Sequence, residues 1–220
     1  MTKKIDAKGM NTREINTTIK KVIEKNNSND KFYFENSSNN SNITVGLNEN
    51  IRIFIENDVG DFVGALNNGA TITVKGRADR YAADGMTAGE VIIYGDTAEG
   101  AGTGMCGGTL VIRGNSGNNL GQLLKGGTIV VGGNVGDLVG SFMITGIIII
   151  GGNAGKQLGS SMIGGVIYIR GSYESLGNNV KKTSPSEEEI LYLKMLFIKY
   201  QLDIDPNTFE KIVTIENTFR

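Results

Sequence analysis

Few residue types in this sequence can carry out nucleophilic or acid–base chemistry. Histidine is absent and Cys106 is the only cysteine, which excludes internal disulfides, a CxxC redox pair and a four-thiolate iron–sulfur or zinc site in this chain. Without histidine, the Ser-His-Asp and Cys-His nucleophile systems are excluded as well, and carboxylates, lysine and tyrosine are left for proton transfer. Cys106 lies in a glycine-rich turn, where we expect it to be packed rather than reactive. We assign no catalytic, cofactor-binding or metal-binding residue.

The glycine-rich run from Gly100 to Gly104 superficially resembles a loop that binds phosphate groups. Such a loop needs a strand before it and the N-terminus of a helix after it. Here another strand pattern follows, and glycines recur at the same offsets elsewhere in the chain. The run therefore indicates a structural turn rather than a nucleotide site.

One polar cluster departs from its surroundings, because Ala83 stands where neighbouring segments have a turn glycine. A small binding site or contact patch is one interpretation. An irregular corner with solvated charges is the preferred one. The cluster contains Arg77, Asp79, Arg80, Tyr81 and Asp84.

The charge and hydropathy of the chain argue against two classes of partner. Lys and Arg total 22 against 23 Asp and Glu, so no net positive field attracts nucleic acid or an anionic membrane. No stretch reaches the roughly 20 apolar residues that span a bilayer, and the N-terminus has no apolar targeting segment. We expect a cytoplasmic protein without nucleic-acid or membrane partners.

The elements that carry these residues are defined by an internal repeat of 19 residues. Short β-branched segments recur at this interval, and side chains alternate between the two faces of a strand, so two aliphatic rows point inward. The segments begin at Arg52, Thr71, Glu90, Thr109, Thr128, Ile147 and Val166. Structural turn glycines follow six of them, at Gly76, Gly95, Gly114, Gly133, Gly152 and Gly171.

Two further apolar ladders complete the predicted interior. A stripe of methionines is one possible binding site for a soft metal ion. Because Leu124 occupies the same coil position as these methionines, core packing is the better interpretation. The ladders consist of Val63, Ala82, Ala101, Leu120, Val139 and Leu158, and of Met86, Met105, Leu124, Met143 and Met162.

An outward-facing row of the strands is also largely apolar. Contiguous exposed apolar surface usually marks an interface. We therefore expect the row to lie under a partner subunit or under a terminal helix of the same chain. The candidate interface residues are Phe54, Ile92, Val111, Val130, Ile149 and Tyr168.

Glycine and asparagine recur where the coils turn. Both residue types adopt positive φ at low cost, so we expect left-handed corners at glycines such as Gly117 and Gly121 and at the residues after the strand glycines. Stacked coils bring the latter into one ladder, formed by Asp58, Asp96, Asn115, Asn134 and Asn153.

These patterns predict an all-β core in the form of a right-handed parallel β-helix, a single-stranded β-solenoid of seven 19-residue coils, with short N- and C-terminal helices. We divide the chain into an N-terminal helix with lead-in strands (1–45), a repeat domain (46–184) and a C-terminal helical cap (185–220). In the lead-in region we expect a strand at 31–34, a flexible loop at 36–42 and a strand at 43–45.

The predicted helices cap the exposed strand edges of the solenoid. Asn11 and Glu14 indicate a capping box that opens a helix reaching about residue 25. Ser184 and Pro185 indicate the N-cap and first position of a second helix, which reaches about residue 200. The Asp-Pro pair at 205–206 repeats this signal for a shorter element towards residue 212.

The coil sequence GNSGNNLGQLLKGGTIVVGGNVGDLVG (114–140) resembles the GXGXG repeat domain that closes the large subunit of glutamate synthase and also occurs as a stand-alone archaeal and bacterial subunit. The leader DAKGMNTREIN (6–16) and the last coil VIYIRGSYESLG (166–177) are similar to stand-alone glutamate-synthase-domain-3-like subunits. The resemblance covers nearly the whole chain.

This resemblance implies a non-catalytic structural subunit of a glutamate synthase-like oxidoreductase. In that family an amidotransferase unit releases ammonia from glutamine, and a unit with FMN and an iron–sulfur cluster adds it reductively to 2-oxoglutarate, forming glutamate. The implied partners are a glutamine amidotransferase-like subunit and an FMN-binding glutamate synthase subunit. FMN and the cluster are then expected on those partners and not on this chain.

Two alternatives share the solenoid. They are a subunit of N-methylglutamate synthase and the solenoid subunit of formylmethanofuran dehydrogenase, a one-carbon enzyme of methanogens; the leader argues against the latter. A polysaccharide-acting β-helix enzyme needs a carboxylate cluster or calcium ligands along a groove, and a left-handed acyltransferase needs a hexapeptide period. The sequence has neither pattern.

Overall fold

The computed structural model describes residues 2–24, 31–37 and 39–215. In this part of the chain, 11 strands form one continuous sheet, accompanied by two α-helices. The helices are α1 (Thr12–Glu24) and α2 (Glu187–Tyr200). The strands are β1 (Thr2–Asp6), β2 (Lys31–Glu35), β3 (Arg52–Ile55), β4 (Asn68–Val74), β5 (Ala88–Ile93), β6 (Cys106–Ile112), β7 (Gly126–Val131), β8 (Ile147–Ile150), β9 (Val166–Ile169), β10 (Val180–Thr183) and β11 (Glu210–Thr214).

Strands β1 to β9 stack in chain order, each parallel to the next. The pairing register follows the 19-residue repeat, since Arg52 lies opposite Thr71 and Ile147 lies opposite Val166. Parallel pairing at one fixed interval is what a solenoid requires, because each coil contacts only its neighbours. The predicted parallel β-solenoid, with its seven coils and two short helices, is confirmed.

The interior of the solenoid is a continuous apolar column. Every member of the two predicted ladders, from Val63 to Leu158 and from Met86 to Met162, is at most 3% exposed. The methionines therefore pack in the core, as expected. Burial of one such aliphatic side chain contributes roughly 1.5–3 kcal/mol, so the column is the main stabilising feature of the stack.

Glycines serve two different purposes at the corners of the coils. Gly121 has φ +63°, in the left-handed region, as predicted. The same expectation is wrong for Gly117, whose φ lies outside that region. A Cβ there would lie only 2.8 Å from the backbone nitrogen of Glu99 in the preceding coil, so close stacking demands a residue without a side chain. The six predicted turn glycines lie in bends, each two residues after the last residue of its strand.

Asparagine side chains link successive coils through backbone groups. The N–H of Asn134 donates to Oδ1 of Asn115, and the N–H of Asn153 donates to Oδ1 of Asn134, each at 2.8 Å. Their φ angles are not left-handed, so that part of the prediction is wrong. The ladder satisfies backbone donors that have no strand partner at the corner.

The N-terminal end of the stack is closed by helix α1. Its capping box is present, because the N–H of Glu14 donates to Oδ1 of Asn11 at 3.0 Å and the N–H of Asn11 donates to the Glu14 carboxylate at 2.9 Å. Asn16 then covers the end coil, since its Oδ1 accepts from the Thr44 N–H at 3.1 Å and its Nδ2 donates to the Asn42 carbonyl at 2.8 Å.

The lead-in region differs from its prediction in two places. The strand at 31–34 is present as β2, but residues 43–46 form a turn instead of a strand. The described part of the segment 36–42 is a corner of an additional coil, because the N–H groups of Asn39 and Asn42 donate to carbonyls of the next coil. Coil stacking satisfies these groups, so neither a strand nor a free loop is needed. Strand β1 was not predicted.

The C-terminal end is closed by an antiparallel strand. β11 inserts between β9 and β10 and runs antiparallel to both. Its Ile212 is fully buried and completes the apolar column. The second helix is present, but its N-cap is Ser186 rather than Ser184, because Ser186 and Glu189 form the capping box and Pro185 precedes the helix. The Asp-Pro signal at 205–206 opens a 3-10 turn, Pro206–Thr208.

Candidate functional site

Helix α2 lies along the flank of the solenoid and covers most of the predicted outward row. Val111, Val130 and Ile149 are completely buried and Tyr168 is 3% exposed, packed with Leu193 and other residues of the helix. We expected either a partner subunit or a terminal helix of the same chain to cover the row, and over these four residues the cover is the chain's own helix.

The other two candidate interface residues lie nearer the N-terminal end. Phe54 is half-buried and stacks on Tyr33, with ring centroids 4.5 Å apart. Ile92 is half-buried at the edge of the cluster under α2. Their role in binding another subunit stays a prediction.

Glu189 anchors the beginning of α2 to the sheet. Its carboxylate accepts hydrogen bonds from the Tyr168 hydroxyl at 2.8 Å, from Lys211 Nζ at 2.5 Å and from the Ser186 N–H at 2.8 Å. Burial raises the pKa of Glu189, but the hydrogen bonds from Lys211, Ser186 and Tyr168 outweigh that effect and lower the pKa to about 2. One ionised carboxylate thus joins the helix, β9 and β11.

A second polar contact fixes the end of α2. The Tyr200 hydroxyl donates to Glu90 at 2.9 Å, and Lys199 forms an ion pair with the same carboxylate. Arg113 donates to the Tyr200 carbonyl at 3.0 Å while its guanidinium lies 4.1 Å from the centre of the Tyr94 ring. Burial raises the pKa of the Tyr200 hydroxyl. These contacts hold the helix in place.

The polar cluster of the second coil is spread along a corner. The backbone N–H of Arg77 donates to Asp58 at 2.8 Å, and this pair lines a surface groove of about 320 Å³ together with Asp79. Arg80 instead donates through Nε to Asp61 at 3.4 Å.

The remaining two members of the cluster lie apart from that groove. Tyr81 stacks on Phe62, with ring centroids 5.1 Å apart. Burial raises the pKa of Asp84, which does not line the groove. The charges therefore do not converge on one point, and the solvated corner remains the better interpretation.

The glycine-rich run forms a corner whose N–H groups are already used. Gly100, Gly102 and Gly104 donate to carbonyl oxygens of neighbouring coils at 2.8–2.9 Å, and β6 follows instead of a helix. Cys106 is exposed, which contradicts the expectation that it is packed, because its side chain points outward at the start of β6. Among the described residues there is no group of three or more His, Cys, Asp or Glu side chains that could hold a metal ion. The helices described are too short or too polar to cross a membrane.

The outer face of α2 is an exposed apolar surface that the sequence reasoning missed. Leu191, Met195 and Ile198 are 58%, 64% and 69% exposed. They follow one another at intervals of four and three residues, so they form one line along the helix, which we call the α2 outer stripe. The sequence feature that could have indicated this surface is that α2 has apolar residues on all sides. In soluble proteins such a helix is usually covered on both faces.

A second group of exposed apolar residues lies at the corners of the fourth to sixth coils. Three of its residues, Leu123, Leu138 and Phe142, have backbone φ angles between 55° and 60°. This left-handed conformation is unfavourable for residues with bulky side chains. The group also includes Ile144 and Ile163, which are 43% and 72% exposed. We call these five residues the corner ridge.

The described residues thus form a stack of parallel coils that leaves two groups of apolar side chains exposed. The sequence profile of the GXGXG motif family matches residues 12–195, and the chain therefore belongs to this family. None of the curated proteins matches the chain.

One solved structure relates the chain to a multi-subunit assembly. It is a chain of the formyltransferase/hydrolase complex (FhcABCD) from Methylorubrum extorquens in complex with methylofuran. The two chains are 28% identical and superpose with a TM-score of 0.68, over 79% of this chain and 68% of that one.

Proposed function

We propose that this chain is a non-catalytic assembly subunit of a multi-subunit enzyme, comparable to the solenoid subunit of formylmethanofuran dehydrogenase. The similarity to a chain of the formyltransferase/hydrolase complex carries this proposal. It extends over 79% of this chain and 68% of the other. Among the alternatives drawn from the sequence, this one-carbon assembly now has the best support.

The local chemistry agrees with a scaffold role. The groups with shifted pKa values, such as Glu189 and Tyr200, hold α2 against the sheet. The α2 outer stripe and the corner ridge are exposed and apolar, as expected for a protein that binds other subunits. Chemistry and cofactors then belong to those subunits.

A glutamate synthase-type complex is the second candidate. The leader that carries this resemblance begins at the last residue of β1 and opens α1, and its Asn16 bonds to the backbone of the end coil. In that case the partners are a glutamine amidotransferase-like subunit and an FMN-binding glutamate synthase subunit, which carries FMN and the iron–sulfur cluster. The N-methylglutamate branch is a variant of the same assembly.

Purification of the tagged chain from its native host, followed by mass spectrometry, tests the proposal. Stoichiometric recovery of formyltransferase or hydrolase subunits supports the one-carbon assembly. Recovery of amidotransferase and FMN synthase subunits favours the second candidate instead. Catalytic turnover or bound flavin with the isolated chain contradicts a non-catalytic scaffold.

A further inference from the structure

The two faces of α2 are apolar, but only one of them is covered. Leu193 and Phe197 are buried against the sheet, whereas the α2 outer stripe faces away from it. The side chains of the stripe continue into a groove of about 410 Å³ at the end of the helix, which is lined by Ile198, Leu202 and Ile204 among others. The uncovered apolar surface thus runs past the end of the helix.

Charged residues flank the stripe and have no ion-pair partner in the described part of the chain. Glu187 and Glu188 are exposed in the first turn of α2, and Lys194 is exposed beside Met195. Unpaired charges around an apolar centre are the usual rim of a protein–protein interface. Their arrangement defines the complement that a partner must offer.

We propose that the α2 outer stripe binds an apolar helix face or groove of another subunit of the complex, one with a basic residue opposite Glu187 and Glu188 and a carboxylate opposite Lys194. This inference rests on the proposed function as an assembly subunit. It names the surface on which assembly takes place and the chemistry of the partner.

A second copy of this chain is a poorer match to the stripe. Leu191 and Ile198 are the ends of the stripe, so a two-fold axis through its middle passes beside Lys194. An antiparallel pair of helices related by this axis would then bring each Lys194 next to its symmetry mate. Like charges facing each other across an interface act against that pairing, which favours a different polypeptide.

The test compares two substitutions of exposed apolar residues in the tagged chain, expressed in its native host. Met195→Asp places a charge in the stripe, and Leu66→Asp places the same charge at an exposed apolar residue outside both the stripe and the corner ridge, as the matched control. Both side chains are exposed, so we expect wild-type circular dichroism and melting temperature for both variants. Recovery of the partner subunit falls about tenfold or more with Met195→Asp and stays within about twofold of wild type with Leu66→Asp.

Photo-crosslinking identifies the contact itself. With p-benzoylphenylalanine in place of Met195, the crosslinked peptide comes from another subunit and contains apolar residues near a Lys or Arg. Charge reversal of Glu188 to Lys, combined with that basic residue reversed to Glu, restores binding that either change alone weakens.

The outcomes separate the two proposals. If the wild-type chain recovers no stoichiometric partner, the proposed function itself is wrong. If it recovers a partner and Met195→Asp recovers just as much, the assembly role stands and the inference about α2 is overturned. A crosslink from position 195 to a second copy of this chain also overturns the inference, because it replaces the partner with a homodimer.

Discussion

The Tyr168 hydroxyl donates to the Glu189 carboxylate at 2.8 Å, and through this contact a strand of the last regular coil holds the first turn of α2. Lys211 of β11 donates to the same carboxylate at 2.5 Å. Three segments that are distant in sequence therefore depend on one ionised group.

We expect Glu189→Gln to lower the free energy of unfolding at pH 7 by about 1–2 kcal/mol, because charge-assisted hydrogen bonds and half of a capping box are lost. The pKa of Glu189 is lowered to about 2 in the folded chain, so its stabilising effect is present above the ordinary glutamate pKa and disappears as the pH falls towards 2. Urea denaturation at a series of pH values measures both effects. The difference between wild type and variant shrinks on acidification.

Glu188→Gln is the matched control, since Glu188 is exposed in the same helical turn without an ion-pair partner in the described residues. It should leave stability within about 0.5 kcal/mol of wild type. Equal losses for the two variants would show that the contacts of Glu189 contribute nothing specific.

We expect two glycine substitutions to separate lack of space from backbone conformation. At Gly117 a Cβ meets backbone atoms of the preceding coil at 2.8 and 2.9 Å, so Gly117→Ala forces neighbouring coils apart and lowers the free energy of unfolding by about 3 kcal/mol or more. Gly104 has φ +62° with nothing within 4 Å, so Gly104→Ala costs only the left-handed conformation, about 1 kcal/mol. Chemical denaturation ranks the two variants, and the reverse order would refute the assignment of Gly117 to close stacking.

We expect Asn134→Ala to break one rung of the corner ladder. The Asn153 N–H then loses its acceptor at 2.8 Å, which costs about 1–2 kcal/mol, whereas Asn134→Asp retains an acceptor oxygen. Amide hydrogen exchange followed by NMR gives the direct measurement. Exchange at Asn153 accelerates in the alanine variant and stays near wild type in the aspartate variant, and equal rates in both would contradict the role of Oδ1.

We expect the corner ridge to store backbone strain that glycine relieves. Leu123 has φ 55° and is 44% exposed, whereas Gly104 occupies the same position one coil earlier. Leu123→Gly should raise the free energy of unfolding by about 0.5–1 kcal/mol, and Leu123→Val should lower it by about 1 kcal/mol, because a β-branched residue tolerates the left-handed region least. A glycine variant that is less stable than wild type would show that packing of Leu123 outweighs the strain.

The regular coils were predictable because the repeat reports their register directly. Val111 and Val130 are 19 residues apart, and that interval alone places them opposite each other. The ends lack this information. Whether residues 210–214 add to the sheet, and in which direction, depends on which edge is free after folding, so β11 was missed. Two serines lie two residues apart before α2, and only the packed structure selects Ser186 as the N-cap.

The surfaces were predictable in part. An outward apolar row was visible in the alternation of the strands, but its cover was not, since a flanking helix and a partner impose the same pattern. The exposure of Met195 could not be predicted, because α2 has apolar residues on all sides. The structure shows that Leu193 and Phe197 form the buried face, which leaves Met195 on the exposed one.

Because β11 closes the stack as an antiparallel strand outside the repeat, the number of coils can change without any change in how the stack is closed. Each coil adds about 4.8 Å, and an inserted or deleted 19-residue unit in the middle of the stack leaves both closing elements unchanged. The distance between the two closing elements is therefore set in whole steps by the number of units.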